Sequence, residues 1–142
     1  MTKKSQNKGS QGQNRKSGDR FLEKFRQKPG VVETDSGLLY REIEPGNNLK
    51  PTESDTVVVN QRIQLVNGKV IADTYQEGMP DTFTMKEAIP GIREGLQHVG
   101  EGGRYEFVVP PELAWGRKGV GRKIGPNAVL VFDIRLVEVR FG

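Results

Sequence analysis

Cysteine is absent from this chain of 142 residues, and histidine and tryptophan each occur once, as His98 and Trp115. Without thiols there are no disulfides, no thiolate zinc sites and no cysteine nucleophiles. One imidazole leaves little from which to build a hydrolytic triad or a multi-histidine metal centre, so no metal and no cofactor is expected. Long apolar runs are missing too: nothing approaches the roughly 20 residues that a membrane-spanning helix needs. The polar start Met1–Asn14 lacks the apolar centre of a secretory signal. The chain therefore reads as soluble, with the cytoplasm as its default location and no membrane partner.

Glycine (18 residues) and proline (8) are plentiful, which suits a turn-rich β fold better than a helical bundle. The length admits one domain of ordinary size and a tail. Charge divides the same way. Lys3, Lys4, Lys8, Arg15, Lys16 and Arg20 face only Asp19 within residues 1–20, while the remainder is almost balanced. Residues 1–18 are rich in Lys, Ser, Gln, Asn and Gly with no hydrophobic period, so a disordered basic tail is expected there. Such a tail solubilises the chain or tethers it to an acidic partner or a nucleic acid; without interleaved aromatics, base stacking has no support.

Residues 19–36 read as a short helix and a connection. Asp19 is its cap, Phe21, Leu22 and Phe25 share a face, and Pro29-Gly30 ends it. Strand signals then recur through residues 37–142. Gly37–Ile43 comes first, followed by Val57–Leu65, where the alternation is interrupted by polar Gln61. Asn67-Gly68 marks a hairpin leading into Lys69–Ala72. Thr82–Met85, Arg104–Val109 and Val129–Arg140 follow, the last with Leu130, Phe132, Ile134 and Leu136 on one face. Pro90 opens a helix of about ten residues in which Ile92, Leu96 and Val99 recur at helical spacing before Gly100. The expected fold is α+β: about five antiparallel strands wrapped around one short helix.

Covalent chemistry finds few candidates. His98 falls off the apolar stripe and reads as a solvated helix residue. Glu101 and Glu106 read as solvated carboxylates, and Gly116, Gly119, Gly121 and Gly125 lack the spacing of a phosphate-binding loop. Whatever the domain does, it is expected to act by shape, desolvation and backbone hydrogen bonds.

Three motifs sharpen this. Ala88-Ile89-Pro90-Gly91-Ile92-Arg93-Glu94-Gly95-Leu96, then Pro110-Pro111-Glu112-Leu113-Ala114-Trp115-Gly116, then Ile124-Gly125-Pro126-Asn127-Ala128-Val129-Leu130-Val131-Phe132-Asp133 together resemble the FKBP-type peptidyl-prolyl cis-trans isomerases. The preceding helix, with Gly30-Val31-Val32 and Ser36-Gly37-Leu38, is similar to the bacterial branch that includes macrophage infectivity potentiators. That branch's long dimerising helices are not seen, so a monomer is expected.

The resemblance implies rotation about X–Pro bonds of folding polypeptides, with no bond made or broken. It implies catalytic roles for Ile89, whose N–H would hold a substrate carbonyl, for Trp115, standing where the family usually has a Tyr donor, and for Phe132 as an aromatic wall. Phe83 would be a second wall, Ala88 the rim and Ile124 a closing residue from the following loop. Four substrate-binding positions depart from the family pattern: Ile92 replaces a Trp floor, Ile71 a Phe wall, Ala72 a buried Asp and Gln61 a Tyr. An Ile floor gives up contact area worth roughly 1–3 kcal/mol, so weakened activity is expected. The alternative is a noncatalytic binding or chaperone module, in which the cationic loop Arg117, Lys118, Arg122 and Lys123 selects an acidic partner.

Overall fold

The computed structural model describes residues 11–142. Seven strands form one antiparallel sheet: β1 (Val31–Glu33), β2 (Leu39–Glu44), β3 (Thr56–Leu65), β4 (Val70–Asp73), β5 (Asp81–Thr84), β6 (Arg104–Val109) and β7 (Leu130–Arg140). Their order is β1-β2-β6-β7-β3-β4, with β5 also on β3. Strand β3 is long enough for two partners on one edge, β5 along Thr56–Val59 and β4 along Arg62–Gln64. At the gap between them, the Gln61 N–H donates to Thr74 Oγ1 (2.8 Å), and that hydroxyl donates to Asn60 Oδ1 (2.9 Å). Thr74 opens a single helical turn, α2 (Thr74–Glu77), capped by Asp73 and ended by Gly78.

One face of the sheet is apolar and the other carries an apolar patch beside ion-paired side chains, and side-chain parity divides them. Tyr105, Phe107 and Val109 of β6 and Leu130, Phe132, Ile134 and Leu136 of β7 face the main core. Val108 and Val131, at the intervening positions, belong to a second cluster with Leu39 and Val129. Period-two alternation on adjacent strands produces this division directly. Across the main core lies α3 (Pro90–Leu96), with Ile92 and Leu96 buried. It approaches closely because Gly95 has no side chain: a Cβ there would lie 2.5 Å from the Phe107 ring. The helix is shorter than expected, since His98 and Val99 donate to carbonyls three residues back and continue only as turns.

The second cluster is covered by α1 (Gln11–Arg26), whose Phe25 is buried and whose Phe21 and Leu22 pack alongside. This corrects the expected boundary. Residues 11–18, read as part of a disordered tail, are helical; residues 1–10 of that tail lie outside the described residues. Docking is the reason. Asn14 Nδ2 donates to Pro126 O (2.7 Å), Arg15 Nη2 to Asn127 Oδ1 (3.2 Å), and buried Gly18 sits so close to Val129 that a Cβ would come within 2.6 Å. The expected strand count also rises, because β1 has only three residues and shows no readable alternation.

Several polar residues serve structure. Glu101 accepts the Val139 N–H (3.0 Å), Glu106 pairs with Arg41 (2.8 Å), and His98 is half-buried and stacked on Tyr40 with ring centroids 4.8 Å apart. Asp133, on the outer face of β7, accepts two hydrogen bonds from Arg104 (3.0 and 2.7 Å) and one from the Tyr75 hydroxyl (3.0 Å). Burial pushes the Asp133 carboxyl up, but these donors and the Arg104 charge outweigh it and hold the group below its ordinary value.

Replacing Asp133 by Asn is expected to lower unfolding free energy by about 1–3 kcal/mol near neutral pH. Because the folded-state pKa is depressed, this contribution is full above the unfolded value of about 3.9 and is lost as pH falls through the folded one. Urea unfolding at a series of pH values should show wild type and Asp133→Asn converging in acid. A gap that stayed constant into strong acid would exclude the ionised carboxylate as its source.

Candidate active site

A cavity of about 190 Å³ opens at one end of the main core. Gln61 and Ile63 line it from β3 and Phe132 from β7, Ile63 and Phe132 being direct cross-strand partners. Phe83 contributes from β5, which is held on β3 by its pairing with Val57. Glu87, Ala88, Ile89 and Ile92 enclose the cavity around the start of α3, and Trp115 joins them from the β6–β7 connection. The walls are thus mainly aliphatic and aromatic.

The approach to α3 is built by local hydrogen bonds. Thr84 and Glu87 form a capping box, in which Thr84 Oγ1 accepts the Glu87 N–H (3.3 Å) and Glu87 Oε1 accepts the Thr84 N–H (2.8 Å). Arg93 then reaches back from α3 to three carbonyls, those of Met85 (3.1 Å), Lys86 (3.1 Å) and Ala88 (2.9 Å). Between these ties lies Ile89, held extended at φ −60° and ψ 153°, as favoured before proline. Its N–H donates to no acceptor among the described residues. A half-buried amide beside an apolar cavity is therefore left for a ligand carbonyl.

Gln61 supplies a second polar group. Its Nε2 donates to Asp81 (2.9 Å). Since a carboxylate can only accept, this bond orients the carboxamide and leaves Oε1 without a donor among the described residues. The Trp115 indole N–H likewise has no acceptor there.

Seven positions singled out from the sequence therefore converge on this cavity: Gln61, Phe83, Ala88, Ile89, Ile92, Trp115 and Phe132. Three others do not line it, which corrects the expected set. Ile71 is the extra residue of a bulge between the pairs Ile63–Ala72 and Gln64–Val70, and it packs at the margin of the main core. Ala72 stands opposite Ile63 but, with only a methyl side chain, is not among the cavity-lining residues. Ile124 turns into the core, held by its bridge to Val120. Sequence reasoning also missed Ile63 and Glu87 in the lining and Arg93 behind it. Ile63 shares strand parity with Gln61 and was readable on that ground; the reach of Arg93 to three carbonyls carries no sequence signal.

The chain matches the family model of the FKBP-type peptidyl-prolyl cis-trans isomerase over residues 47–137. It matches the domain amino terminal to FKBP-type peptidyl-prolyl isomerase over residues 1–41. It is 42% identical over 127 residues to the FKBP-type peptidyl-prolyl cis-trans isomerase FkpA of Escherichia coli strain K12, covering 89% of this chain and 47% of that protein. Identity is also 42% over 128 residues with the outer membrane protein MIP of Legionella longbeachae, covering 90% and 55%. The chain spans about half the length of these curated relatives. Among solved structures, that of FkpA from Escherichia coli aligns with a TM-score of 0.89 at 41% identity, covering 92% of this chain and 61% of that one. A peptidyl-prolyl cis-trans isomerase from Pseudomonas syringae aligns at 0.84 with 30% identity, covering 93% and 97%. With a family model spanning the whole cavity-forming region and relatives this similar, the chain belongs to the FKBP-type peptidyl-prolyl cis-trans isomerase family.

Proposed function

We propose that this chain catalyses cis–trans rotation about X–Pro bonds in polypeptides. The observation that carries the reading is an apolar cavity bordered by an unpaired backbone N–H at Ile89. Rotation about a peptide bond meets a barrier of about 18–20 kcal/mol, because the planar amide is stabilised by resonance. At an X–Pro bond the exchange takes roughly tens to hundreds of seconds. No nucleophile or proton transfer is needed to speed it. The twisted amide has lost resonance and some carbonyl charge separation, so a water-poor cavity favours it over the planar ground state.

In this reading the prolyl ring enters between Phe83 and Phe132 above Ile92, and the Ile89 N–H holds a carbonyl of the substrate. Fixing the chain on one side of the bond lets the other side turn. A roughly ten-thousandfold acceleration requires about 5–6 kcal/mol of selective stabilisation. The Ile92 floor supplies less contact than an aromatic one, so activity is expected to be modest. Relatives named as isomerases support the catalytic reading over a noncatalytic module.

One substitution isolates the central hydrogen bond. Ile89 has a φ of −60° that proline adopts, Ala88 before it is extended at φ −71° and ψ 151°, and the N–H that proline would remove has no protein partner. Ile89→Pro is therefore expected to fold, yet to lose about ten- to a hundredfold in kcat/KM on a Leu-Pro peptide relative to Ile89→Ala. Equal activity of the two variants would rule out a role for the amide. A second expectation concerns Arg93. Arg93→Met should lower kcat/KM in the wild-type background but have much less effect beside Ile89→Pro, since Arg93 acts by positioning that amide. Independent, additive losses would contradict this coupling.

A further inference from the structure

Residues 114–128 contain Arg117, Lys118, Arg122 and Lys123 and no acidic residue. All four cations are exposed. Among the described residues none of them has a carboxylate partner, and the one polar contact is from Lys123 Nζ to Ile71 O (3.5 Å). Several arginines elsewhere on the surface have carboxylate partners, as in Arg26–Glu33 and Arg41–Glu106. Four unneutralised like charges on one short connection repel each other and offer a field to anything anionic.

The segment is built rather than loose. Val120 and Ile124 exchange backbone hydrogen bonds (2.8 and 3.3 Å), so that Gly121, Arg122 and Lys123 form the turn between them. Buried Ile124 roots one side in the main core, and the Asn127 N–H closes the base on Gly116 O (2.8 Å). From outside, α1 clasps that base through Asn14 and Arg15. Trp115, two residues before Arg117, lines the cavity. The cations are thus carried on a braced frame that starts at the cavity wall, and little ordering is needed for a chain seated there to meet them. The β5–α3 side of the cavity has the opposite sign, with Glu87 in the lining and Asp81 on Gln61.

We propose that the β6–β7 connection is a specificity surface for acidic polypeptides, selecting prolines flanked by Asp or Glu. The proposal rests on the isomerase reading for the position of the proline, and on charge complementarity for the flanking residues. A carboxylate near the proline would lie beside these cations, whereas a basic flank would be repelled.

The test compares peptides of the form Asp-Leu-Pro-Phe-Asp, Asn-Leu-Pro-Phe-Asn and Lys-Leu-Pro-Phe-Lys with the full chain. Isomerisation is followed as kcat/KM, and binding independently through the fluorescence of Trp115, the sole tryptophan. The acidic peptide should be preferred over the neutral one by about tenfold at low salt, and the ratio should fall toward one at about 0.5 M salt. Replacing all four cations by Gln should bring the same ratio close to one. Replacing all four cations by Glu should shift preference toward the lysine-flanked peptide, a gain that misfolding could not produce. Equal affinities and equal rates for the three peptides with wild type would overturn the proposal while leaving the isomerase reading intact. Charge-dependent binding without any acceleration would do the reverse. A single-stranded oligonucleotide bound through these cations, with no charge preference among the peptides, would overturn it in favour of a nucleic-acid partner.

Discussion

A one-residue slip of β7 would turn Leu130, Phe132, Ile134 and Leu136 away from α3 and present Val131 and Asp133 in their place. Strand parity is therefore the constraint on which the structure depends. It is enforced from both sides, since β7 pairs with β3 over ten residue positions and with β6 over six. The main-core face and the apolar patch on the opposite face each need a cover. Strand β6 repeats the pattern, with Phe107 toward α3 and Val108 toward α1. Phe132 becomes a cavity wall only because this parity points it there.

The cavity follows from how α3 is seated. A glycine at the contact with Phe107 lets the helix lie close to the sheet, and Arg93 ties the preceding connection to the helix that it enters. What remains between them is a space whose polar groups are few and mostly committed. Asp81 holds the Gln61 carboxamide, and Glu87 holds Thr84. The exceptions are the Gln61 Oε1, the Trp115 indole N–H and the Ile89 N–H, and the last, fixed in the backbone, suits a reaction in which an amide is twisted rather than cleaved. Low polarity and one fixed donor match a transition state that has lost charge separation.

Much of this was legible because alternation survives wherever a strand is half-buried and regular. The core-side face of β7 was read residue by residue, and the motifs around Pro90, Trp115 and Phe132 contain five of the cavity positions, to which the family resemblance added Gln61 and Phe83. The misses share a cause. Gly18, Asn14 and Arg15 look like tail residues until Val129, Pro126 and Asn127 are placed beside them. Ile71 was expected in the cavity because the resemblance places a wall residue there, and the sequence does not reveal the bulge that makes it the extra residue of β4. Ile124 was expected to close the cavity from the following loop, yet it is buried in the core beside its bridge to Val120.

By itself, the sequence determined which chemistry was out of reach, which strands alternate, where the helix at Pro90 begins, and which family the motifs resemble. Those features depend on residue type and on neighbours a few positions away, which the order of residues records. Tertiary structure alone decided that residues 11–18 are helical, that Ile71, Ala72 and Ile124 stand outside the cavity, and that the Ile89 N–H is left unpaired. Each of these depends on atoms brought together from distant parts of the chain: a docking partner, a strand register, a missing acceptor. Local spacing holds no record of such meetings, because packing selects them only when the sheet has closed against α1 and α3.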